Sequence, residues 1–509
     1  MSDVDPHFTA LALADLADAA LSRAADAGAE YADVRVGRVR SGWLSLRDAK
    51  PDSSGDDVDL GLSVRVVVDG TWGFAATAEL TREAAARVAE QAVTVAAVSR
   101  PVRLRAVELA DEPVHRDAVW VSAYATNPFD VAEAERADRL RELSERLLAS
   151  DGVDHVDASA QWVQENKFYA DLRGTSVTQQ RVRIHPEFTV TNVDRSRGAF
   201  ETMRTLAPPA GRGWEYLTGT GWDFDAELAE LPTLLAERVK APTVEAGRMD
   251  LVIHPSNLWL TIHESIGHAT ELDRALGYEA AYAGTSFATP DRLGSLRYGS
   301  PAMNVRGDRV TPHGLATVAF DDEGVEAQSF DIVRAGQLVG YQVNREMAAM
   351  DMARFAGGRS NGCAYADSAG HIPLQRMPNV SLRPAEDGPD TDELIGRVER
   401  GLYVVGDKSW SIDMQRYNFQ FTGQRFYRIA DGRLAGQVRD AAYQATTTDF
   451  WGAMEAVGGP QTWVLGGAFN CGKGQPGQIA PVSHGAPAAL FRDVNVLNTA
   501  AEAAQAGQA

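Results

Sequence analysis

The sequence predicts an α+β protein with two domains. The chain has 509 residues, whereas one hydrophobic core rarely organises more than about 250–300. Helical and strand-like periodicities alternate along the first part of the chain, and strands, turns and loops dominate after Gly284. We expect an N-terminal α+β domain with helices and an antiparallel sheet over residues 1–224. A C-terminal strand-rich domain over residues 225–498 and a disordered tail over residues 499–509 complete the expected organisation.

The first elements follow from local patterns. An alanine-rich segment over residues 8–27 has apolar residues at helical spacing, and Gly28 is suited to end that helix. The segment "YADVRVGRV" then alternates apolar and polar residues, as a half-buried strand does. Asp69-Gly70 lies between two strand-like runs, which predicts a hairpin turn.

Further helices and strands lead to the domain boundary. Thr77 could cap a helix through "ELTREAAARVAEQAVTVAAV", and another helix begins near Asp130 with Glu133 placed for a capping box. Residues 155–194 are strand-like with "LRGTS" as their turn. The Pro- and Gly-rich residues 207–221 form the best linker candidate, and a helix over about 225–239 follows them.

The second domain opens with a strand and a helix. "MDLVIH" is a short apolar strand, and Pro255 is well suited to the first turn of the helix that follows. Apolar residues at helical spacing give this helix one buried face: Leu258, Ile262, Ile266, Ala269 and Leu272. The histidine motif "HESIGH" therefore lies on a helix packed against the core.

The two histidines of this motif, His263 and His268, are five residues apart. In the zinc-peptidase signature H-E-x-x-H the separation is four, which places both histidines about 40° apart on one helix face. A separation of five gives about 140° on an ideal helix, so two such ligands meet one ion only if a π-type bulge absorbs the extra residue. Gly267 makes that bulge easier because glycine tolerates unusual backbone angles.

The residue types around the motif favour zinc chemistry. Catalytic zinc takes three protein ligands and keeps one position open for water, and His263 and His268 would supply two of the three. Glu264 could act as the general base that accepts a proton from the zinc-bound water. The third ligand stays open at this point, with five candidates: Glu271, Asp273, Glu279, Cys363 and Cys471. The alternative is a purely structural histidine pair, but H-E-x(3)-H arises by chance in a chain with ten histidines only on the order of one time in a hundred.

Other motifs are weaker. "GKGQPG", residues 472–477, matches G-x-G-x-x-G, but "QIAPV" after it does not predict the helix that a dinucleotide site requires. Cys471 as a nucleophilic thiol would need a nearby histidine, for which His484 or His263 could be proposed. Three single histidines beside prolines, glycines or strand ends are more typical of hydrogen-bonded structural residues: His254, His313 and His371.

Charge and cysteine content limit the function classes. The net charge of −21 argues against binding to nucleic acids or acidic membranes, since both would repel the chain. No run of about 18 apolar residues and no signal-peptide pattern occurs, so we expect no membrane span. Two cysteines exclude a disulfide framework and suit a reducing compartment. A cytoplasmic location is the simplest expectation.

The sequence resembles the family of TldD and PmbA, also called modulators of DNA gyrase. The resemblance rests on several segments that occur in order: "GAEYADVRVGRVRSGWLSLRD", "GLSVRVVVDGTWGFAAT", "HESIGHATELD", "SNGCAYAD" and "GGAFNCGKGQPGQIAPVSHGAP". It covers nearly the whole chain and is similar to the catalytic TldD-type member, because both the H-E-x-x-x-H and the C-terminal cysteine are present.

The resemblance implies a zinc metallopeptidase that acts on small, unfolded or modified peptides. It implies His263, His268 and Cys471 as the zinc ligands and Glu264 as the general base. It also implies a dimer, with a PmbA/TldE-like paralogous subunit or with a second copy, and an enclosed active site. The alternative function is that of a non-catalytic scaffold that binds extended peptides without cutting them.

Overall fold

Two seven-stranded sheets organise the computed structural model, which describes residues 3–196, 198–350 and 356–506. The first sheet is formed by the N-terminal part of the chain, whose elements are α1 (Pro6–Thr9), α2 (Leu13–Asp26), β1 (Tyr31–Arg47), β2 (Lys50–Val68), β3 (Thr71–Thr77), α3 (Arg82–Ser99), β4 (Ala118–Val121), α4 (Glu133–Leu148), β5 (His155–Asp171), β6 (Ser176–Asp194), β7 (Ala199–Arg204) and α5 (Phe224–Lys240). Its strand order is β3-β2-β1-β5-β6-β4, with β7 also on β6. All its pairings are antiparallel except that of β4 with β6.

Several N-terminal predictions are confirmed. Asp69 and Gly70 have φ of 47° and 64°, which is the left-handed geometry of a tight hairpin turn between β2 and β3. Gly28, with φ of 88°, follows the end of α2. β5 and β6 pair antiparallel on either side of the short turn in "LRGTS".

Other boundaries differ from the predictions. The helix expected over 8–27 is divided into α1 and α2. Thr81, not Thr77, caps α3, because β3 continues through Thr77 in register with Leu62, and the Thr81 hydroxyl accepts from the Ala84 N–H at 3.1 Å. α4 begins at Glu133 rather than near Asp130, with an alanine at its N-cap, so the capping box is wrong.

The expected linker over residues 207–221 is a packed segment. Trp214, Tyr216 and Leu217 are buried in the N-terminal core because their apolar side chains find space between β5, β6 and α5. The predicted helix over about 225–239 is confirmed as α5, and its leucines belong to that same core. The domain boundary at 224/225 stays a prediction.

The C-terminal part begins at β8 (Gly247–Ile253), which directly precedes α6 (Pro255–Ile262). The elements after them are α7 (Leu272–Ala275), β9 (Val305–Asp308), β10 (Ser329–Arg334), β11 (Gln337–Leu338), α8 (Arg345–Met350), β12 (Ala364–Tyr365), β13 (Leu374–Gln375), β14 (Asn379–Leu382), α9 (Thr391–Gly396), β15 (Arg400–Ile412), β16 (Asn418–Ala430), β17 (Arg433–Val438), β18 (Ala441–Thr446), α10 (Thr447–Gly452), β19 (Met454–Val457), β20 (Val464–Lys473), β21 (Gln478–Ala486), β22 (Ala489–Asn498) and α11 (Thr499–Ala506). The α+β class with a strand-rich C-terminal part is confirmed.

The second sheet surrounds the helix of interest. Its order is β15-β8-β22-β18-β16-β17, and the additional pairing of β15 with β16 closes five of these strands into a ring. Buried residues of α6 belong to the same hydrophobic core as residues of β8, β15, β16 and β22. β20 and β21 form a separate two-stranded ribbon, which packs against α6.

Two further differences concern helices. Short helices α8, α9 and α10 interrupt the region expected to be strands and loops, and α9 carries a capping box between Asp390 and Glu393. Residues 499–506, expected as part of a disordered tail, form α11, and residues 507–509 lie outside the described residues. Among the described residues, no helix has the length and apolar character required to cross a membrane.

Candidate metal centre

The helix that carries the histidines changes its winding at the motif. His254 caps α6 through Nδ1, which accepts from the Ser256 N–H at 3.1 Å, and Pro255 occupies the first turn as predicted. α6 continues through Ile262, residues 263–267 form a π turn, and one 3₁₀ turn follows from His268. The predicted π-type bulge is therefore confirmed. The predicted apolar face is fully buried, so the core holds the bulged helix in place.

Gly267 contributes close packing rather than unusual backbone angles. Its φ of −52° and ψ of −62° are ordinary helical values, so that part of the prediction is wrong. A Cβ at this position would lie 2.6 Å from Sδ of Met377 and 3.6 Å from Cε1 of His484. Glycine thus lets the π turn approach β14 and its flanking residues closely.

The structure brings His263, His268 and Cys471 together. Their possible ligand atoms all lie within 4.8 Å of one another, and all three residues are buried. Nε2 of His268 is 3.5 Å from Sγ of Cys471. Zinc bonds of about 2.0–2.1 Å to nitrogen and about 2.3 Å to sulfur, at tetrahedral angles, require a nitrogen–sulfur separation of about 3.6 Å. The donor types and the separation of His268 and Cys471 therefore fit a zinc ion.

The two cysteines lie in different electrostatic environments. Burial raises the pKa of Cys471, but His268 and Arg376 outweigh burial and hold it below the usual value, which favours the thiolate. Burial raises the pKa of Cys363 to about 12, so that thiol keeps its proton. Only a thiolate binds zinc, so the environment of Cys471, and not that of Cys363, suits a ligand.

His268 is oriented by an acidic cluster behind the site. Its Nδ1 donates to Glu271 at 2.8 Å, which leaves Nε2 facing Cys471. Lys473, two residues beyond Cys471 on β20, lies 3.1 Å from Glu271, 2.9 Å from Asp273 and 3.3 Å from Glu279. All three carboxylates, which are candidate third ligands in the sequence, thus pair with Lys473 and lie outside the cluster. Of the three, Glu271 supports His268.

His263 is oriented by a second histidine, His484 on β21. Nδ1 of His484 is 2.9 Å from the carbonyl oxygen of Val380, which can only accept, so this nitrogen must carry the proton. Burial holds the pKa of His484 well below its usual value, so its Nε2 is an acceptor. Nδ1 of His263 donates to it at 2.7 Å, and the Nε2 lone pair of His263 is then free for a metal.

Sequence reasoning missed this role. The sequence suggests His484 only as a partner for a nucleophilic thiol, and no local pattern indicates that β21 places it against His263. The ring is fully buried and stacks on Trp259, with centroids 6.3 Å apart and planes 10° apart.

Glu264 lies beside the cluster and forms an ion pair with Arg416. Nη1 of Arg416 donates to the carboxylate at 2.6 Å. Burial raises the pKa of Glu264, but His268, His263 and Arg416 together hold it below the usual value, so the group is ionised and able to accept a proton.

The single histidines and the glycine-rich segment 472–477 occupy structural positions outside the cluster. Nδ1 of His313 lies 3.1 Å from the carbonyl oxygen of Gly211, and Nδ1 of His371 lies 2.6 Å from Asp367. With His254 at its helix cap, these three residues are hydrogen-bonded as predicted. The segment 472–477 forms the end of β20 and the turn into β21, not the start of a helix.

Two family models match the chain. The PmbA/TldA metallopeptidase C-terminal domain matches residues 246–498, and PmbA/TldA metallopeptidase domain 1 matches residues 32–96. A metalloprotease from Methanothermobacter thermautotrophicus is 26% identical over 478 residues, which are 92% of this chain and 96% of that protein. A zinc metalloprotease TldD homolog from Saccharolobus solfataricus is 24% identical over 479 residues, with coverage of 92% and 96%.

Solved structures share the fold. A protein from Thermotoga maritima described as a modulator of DNA gyrase aligns with a TM-score of 0.71 and 16% identity, over 92% of this chain and 96% of that one. TldE from Thermococcus kodakarensis aligns with a TM-score of 0.68 and 15% identity, over 94% and 98% of the two chains.

Fold and matched domains place the chain in a metallopeptidase family of α+β architecture, and its buried histidine–cysteine cluster fits a metal site. The chain belongs to the PmbA/TldD family, as the sequence motifs predicted.

Proposed function

We propose that the chain is a zinc metallopeptidase that hydrolyses peptide bonds in small, unfolded or modified peptides. The single observation that carries the proposal is the buried cluster of His263, His268 and Cys471 with Glu264 beside it. Three protein ligands leave the fourth position of a tetrahedral zinc ion open, which is typical of catalytic rather than structural sites. A scaffold that only binds peptides has no use for an open metal position next to an ionised glutamate.

Each residue has a distinct role in this proposal. His263, His268 and Cys471 hold the ion, and His484 and Glu271 fix the two imidazoles so that each offers Nε2. A zinc ion held there would act as a Lewis acid on the scissile carbonyl group and lower the pKa of the attacking water. Glu264 accepts the proton of that water and later delivers it to the leaving nitrogen.

The ribbon next to the site offers a surface for an extended peptide. β20 pairs with β21 along one edge, and within the described residues no strand covers its other edge. This strand leads to Cys471, and Gly466, Gly467 and Phe469 line a cavity of about 260 Å³ together with Trp259 and Trp410. A peptide strand added to this edge would be held by main-chain hydrogen bonds, with little dependence on its side chains.

The proposal includes a second subunit. We infer a PmbA/TldE-like paralogous partner, or a second copy of this chain, that encloses the site and restricts access to unfolded chains. The fold likeness to TldE from Thermococcus kodakarensis supports such a pairing, since a protein of that name has the same architecture as this chain. We also propose a cytoplasmic location and no binding to nucleic acids or membranes.

The test combines metal analysis with peptide cleavage. The purified protein is expected to contain one zinc ion per chain. It should cleave an unfolded protein such as casein, either by itself or after the paralogous subunit is added. His263→Ala should lose the zinc, whereas His155→Ala, on the distant β5, should keep it.

Folded and unfolded forms of one substrate test the enclosure. The destabilised, unfolded variant should be cleaved, and the stably folded domain should not. Full zinc without cleavage of any unfolded peptide, with or without the partner, would favour the scaffold alternative. Equal cleavage of both substrate forms would contradict the enclosed site.

A further inference from the structure

Arg416, on a hairpin that is separate from the histidine helix, contacts Glu264, the proposed base. Residues 413–417 connect β15 to β16, and the Asp413 carboxylate accepts from the N–H groups of Gln415, Tyr417 and Asn418 at 2.8–3.1 Å. Thr285 and Phe287 donate to the backbone carbonyls of residues 414 and 415 at 2.8 and 2.9 Å. The loop that carries Arg416 is therefore fixed from both sides.

The backbone of Arg416 has a conformation that side chains rarely adopt. Its φ is 62°, in the left-handed region, and such conformations persist where the surroundings over-determine them. Its carbonyl accepts from the Thr447 hydroxyl at 2.8 Å, and its N–H donates to the Asp413 carbonyl at 3.0 Å. This arrangement aims the side chain inward, onto the Glu264 carboxylate.

The guanidinium group of Arg416 has N–H donors that are not used in strong hydrogen bonds. Arginine offers five N–H donors, of which Nη1 uses one on Glu264. Nη2 has a long contact of 3.5 Å to the Ala283 carbonyl, and Nε is buried with no hydrogen-bond partner among the described residues. A cation with unused donors thus lies in direct contact with the group proposed as the base.

We propose that Arg416 is a catalytic residue that donates a hydrogen bond to the oxygen of the scissile carbonyl as negative charge develops there. The inference rests on the proposed function and adds an anion-stabilising group to it. A base lies about 2.6–3.2 Å from the water that it deprotonates, and that water lies about 3–3.5 Å from the carbonyl carbon. The carbonyl oxygen is then only a few ångströms from Glu264. The guanidinium group of Arg416 lies 2.6 Å from the Glu264 carboxylate and is therefore within reach of that oxygen.

The step balances without any other reactant. The water oxygen bonds to the carbonyl carbon, its proton passes to Glu264, and the π electron pair moves onto the carbonyl oxygen, which faces Arg416. When the C–N bond breaks, the carbonyl re-forms and the leaving nitrogen takes the proton from Glu264. Without substrate, Arg416 donates a hydrogen bond to Glu264. When a substrate enters, its carbonyl oxygen is a second acceptor for the Arg416 guanidinium group.

The test compares Arg416→Ala and Arg416→Lys with the zinc-loaded wild type, in the subunit state that shows activity. Loss of one such donor typically costs about 10²–10³-fold in kcat, so Arg416→Ala should lose about that factor with little change in KM. Zinc content should stay at the wild-type level. Arg416→Lys should retain part of the activity because it keeps a positive charge, and added guanidinium salt should partly restore Arg416→Ala.

Inhibitor binding gives a readout besides activity. A phosphinic peptide, which imitates the tetrahedral state, should bind Arg416→Ala more weakly by about the factor lost in kcat/KM. Arg492→Ala is the matched control: it removes an arginine that pairs with Glu455 and Asp250, remote from the cluster, and should leave all these quantities unchanged.

Several results would overturn the inference. A wild-type kcat for Arg416→Ala would do so, as would a rise in KM confined to peptides with a free terminal carboxylate and absent for their amides. Zinc loss from both variants would make Arg416 a structural residue. If wild-type protein with full zinc cleaves nothing, the proposed function itself fails and this role fails with it.

Discussion

Replacement of His484 by leucine tests how His263, a proposed metal ligand, is held. The imidazole of His484 is the hydrogen-bond acceptor for Nδ1 of His263 at 2.7 Å, and both rings are buried. Leucine fills a similar volume but accepts nothing, so the Nδ1–H of His263 loses its partner. A buried donor left without a partner costs about 1–3 kcal/mol.

The ring of His263 escapes this cost by changing its orientation or tautomer, and either change removes its Nε2 lone pair from the site. Since each 1.4 kcal/mol is a factor of ten, we expect zinc affinity to fall by about 5- to 150-fold. This agrees with the 10–100-fold losses typical of residues that orient metal ligands.

Competition with a chromophoric zinc chelator measures this affinity without any substrate. The absorption of the cobalt-substituted protein shows separately whether three protein ligands remain. His484→Gln is the conservative variant, because its amide oxygen can still accept from His263, and it should lose less affinity than His484→Leu. Unchanged zinc affinity in His484→Leu would refute the orienting role, and so would equal losses in the two variants.

The remaining predictions concern the base and the two thiols. Glu264→Gln should keep its zinc, because the residue is not a ligand, while turnover falls by at least about 10²–10⁴-fold; a wild-type rate would remove Glu264 from the mechanism. Cys471→Ser should lose zinc and activity, whereas Cys363→Ser should keep both, because only Cys471 lies in the cluster with its pKa lowered. The reverse result, measured by elemental analysis and peptide cleavage, would show that the ligand assignment is wrong.

Local patterns predicted much of this fold because the forces behind them act over a few residues. The five-residue separation of His263 and His268 could be reconciled with one site only through a π turn, and the helix contains one. The buried face of that helix and the hairpin at Asp69-Gly70 follow equally from spacing and turn chemistry. Packing determined the structure where the sequence pattern allowed two outcomes. β3 continues through Thr77, and the segment expected as a linker belongs to the N-terminal core through Trp214 and Tyr216.

Residues that support the site could not be predicted locally, because their partners are far away in the chain. His484 lies 221 residues from His263, and Arg416 lies 152 residues from Glu264. No periodicity specifies that the β20–β21 ribbon and the β15–β16 hairpin meet at one helix. Cys471 was identified through family resemblance, and nothing in its spacing from the histidines distinguishes it from Cys363.

The charges around the cluster account for the position of the acidic residues near the motif, which lie beside the site but outside the group of His263, His268 and Cys471. Glu271, Asp273 and Glu279 are buried, and an ionised carboxylate in such a place needs a cation or hydrogen-bond donors beside it. Lys473, on the same strand as Cys471, pairs with all three carboxylates. Arg274 is a second buried cation, and it pairs with Glu271 and Glu279. The β20 strand thus supplies one of the two cations that pair with the carboxylates and, two residues earlier, the Cys471 side chain. With those oxygens engaged by Lys473 and His268, a divalent cation at the cluster meets two imidazoles and one thiolate, which is a donor set that selects zinc over the harder magnesium and calcium ions.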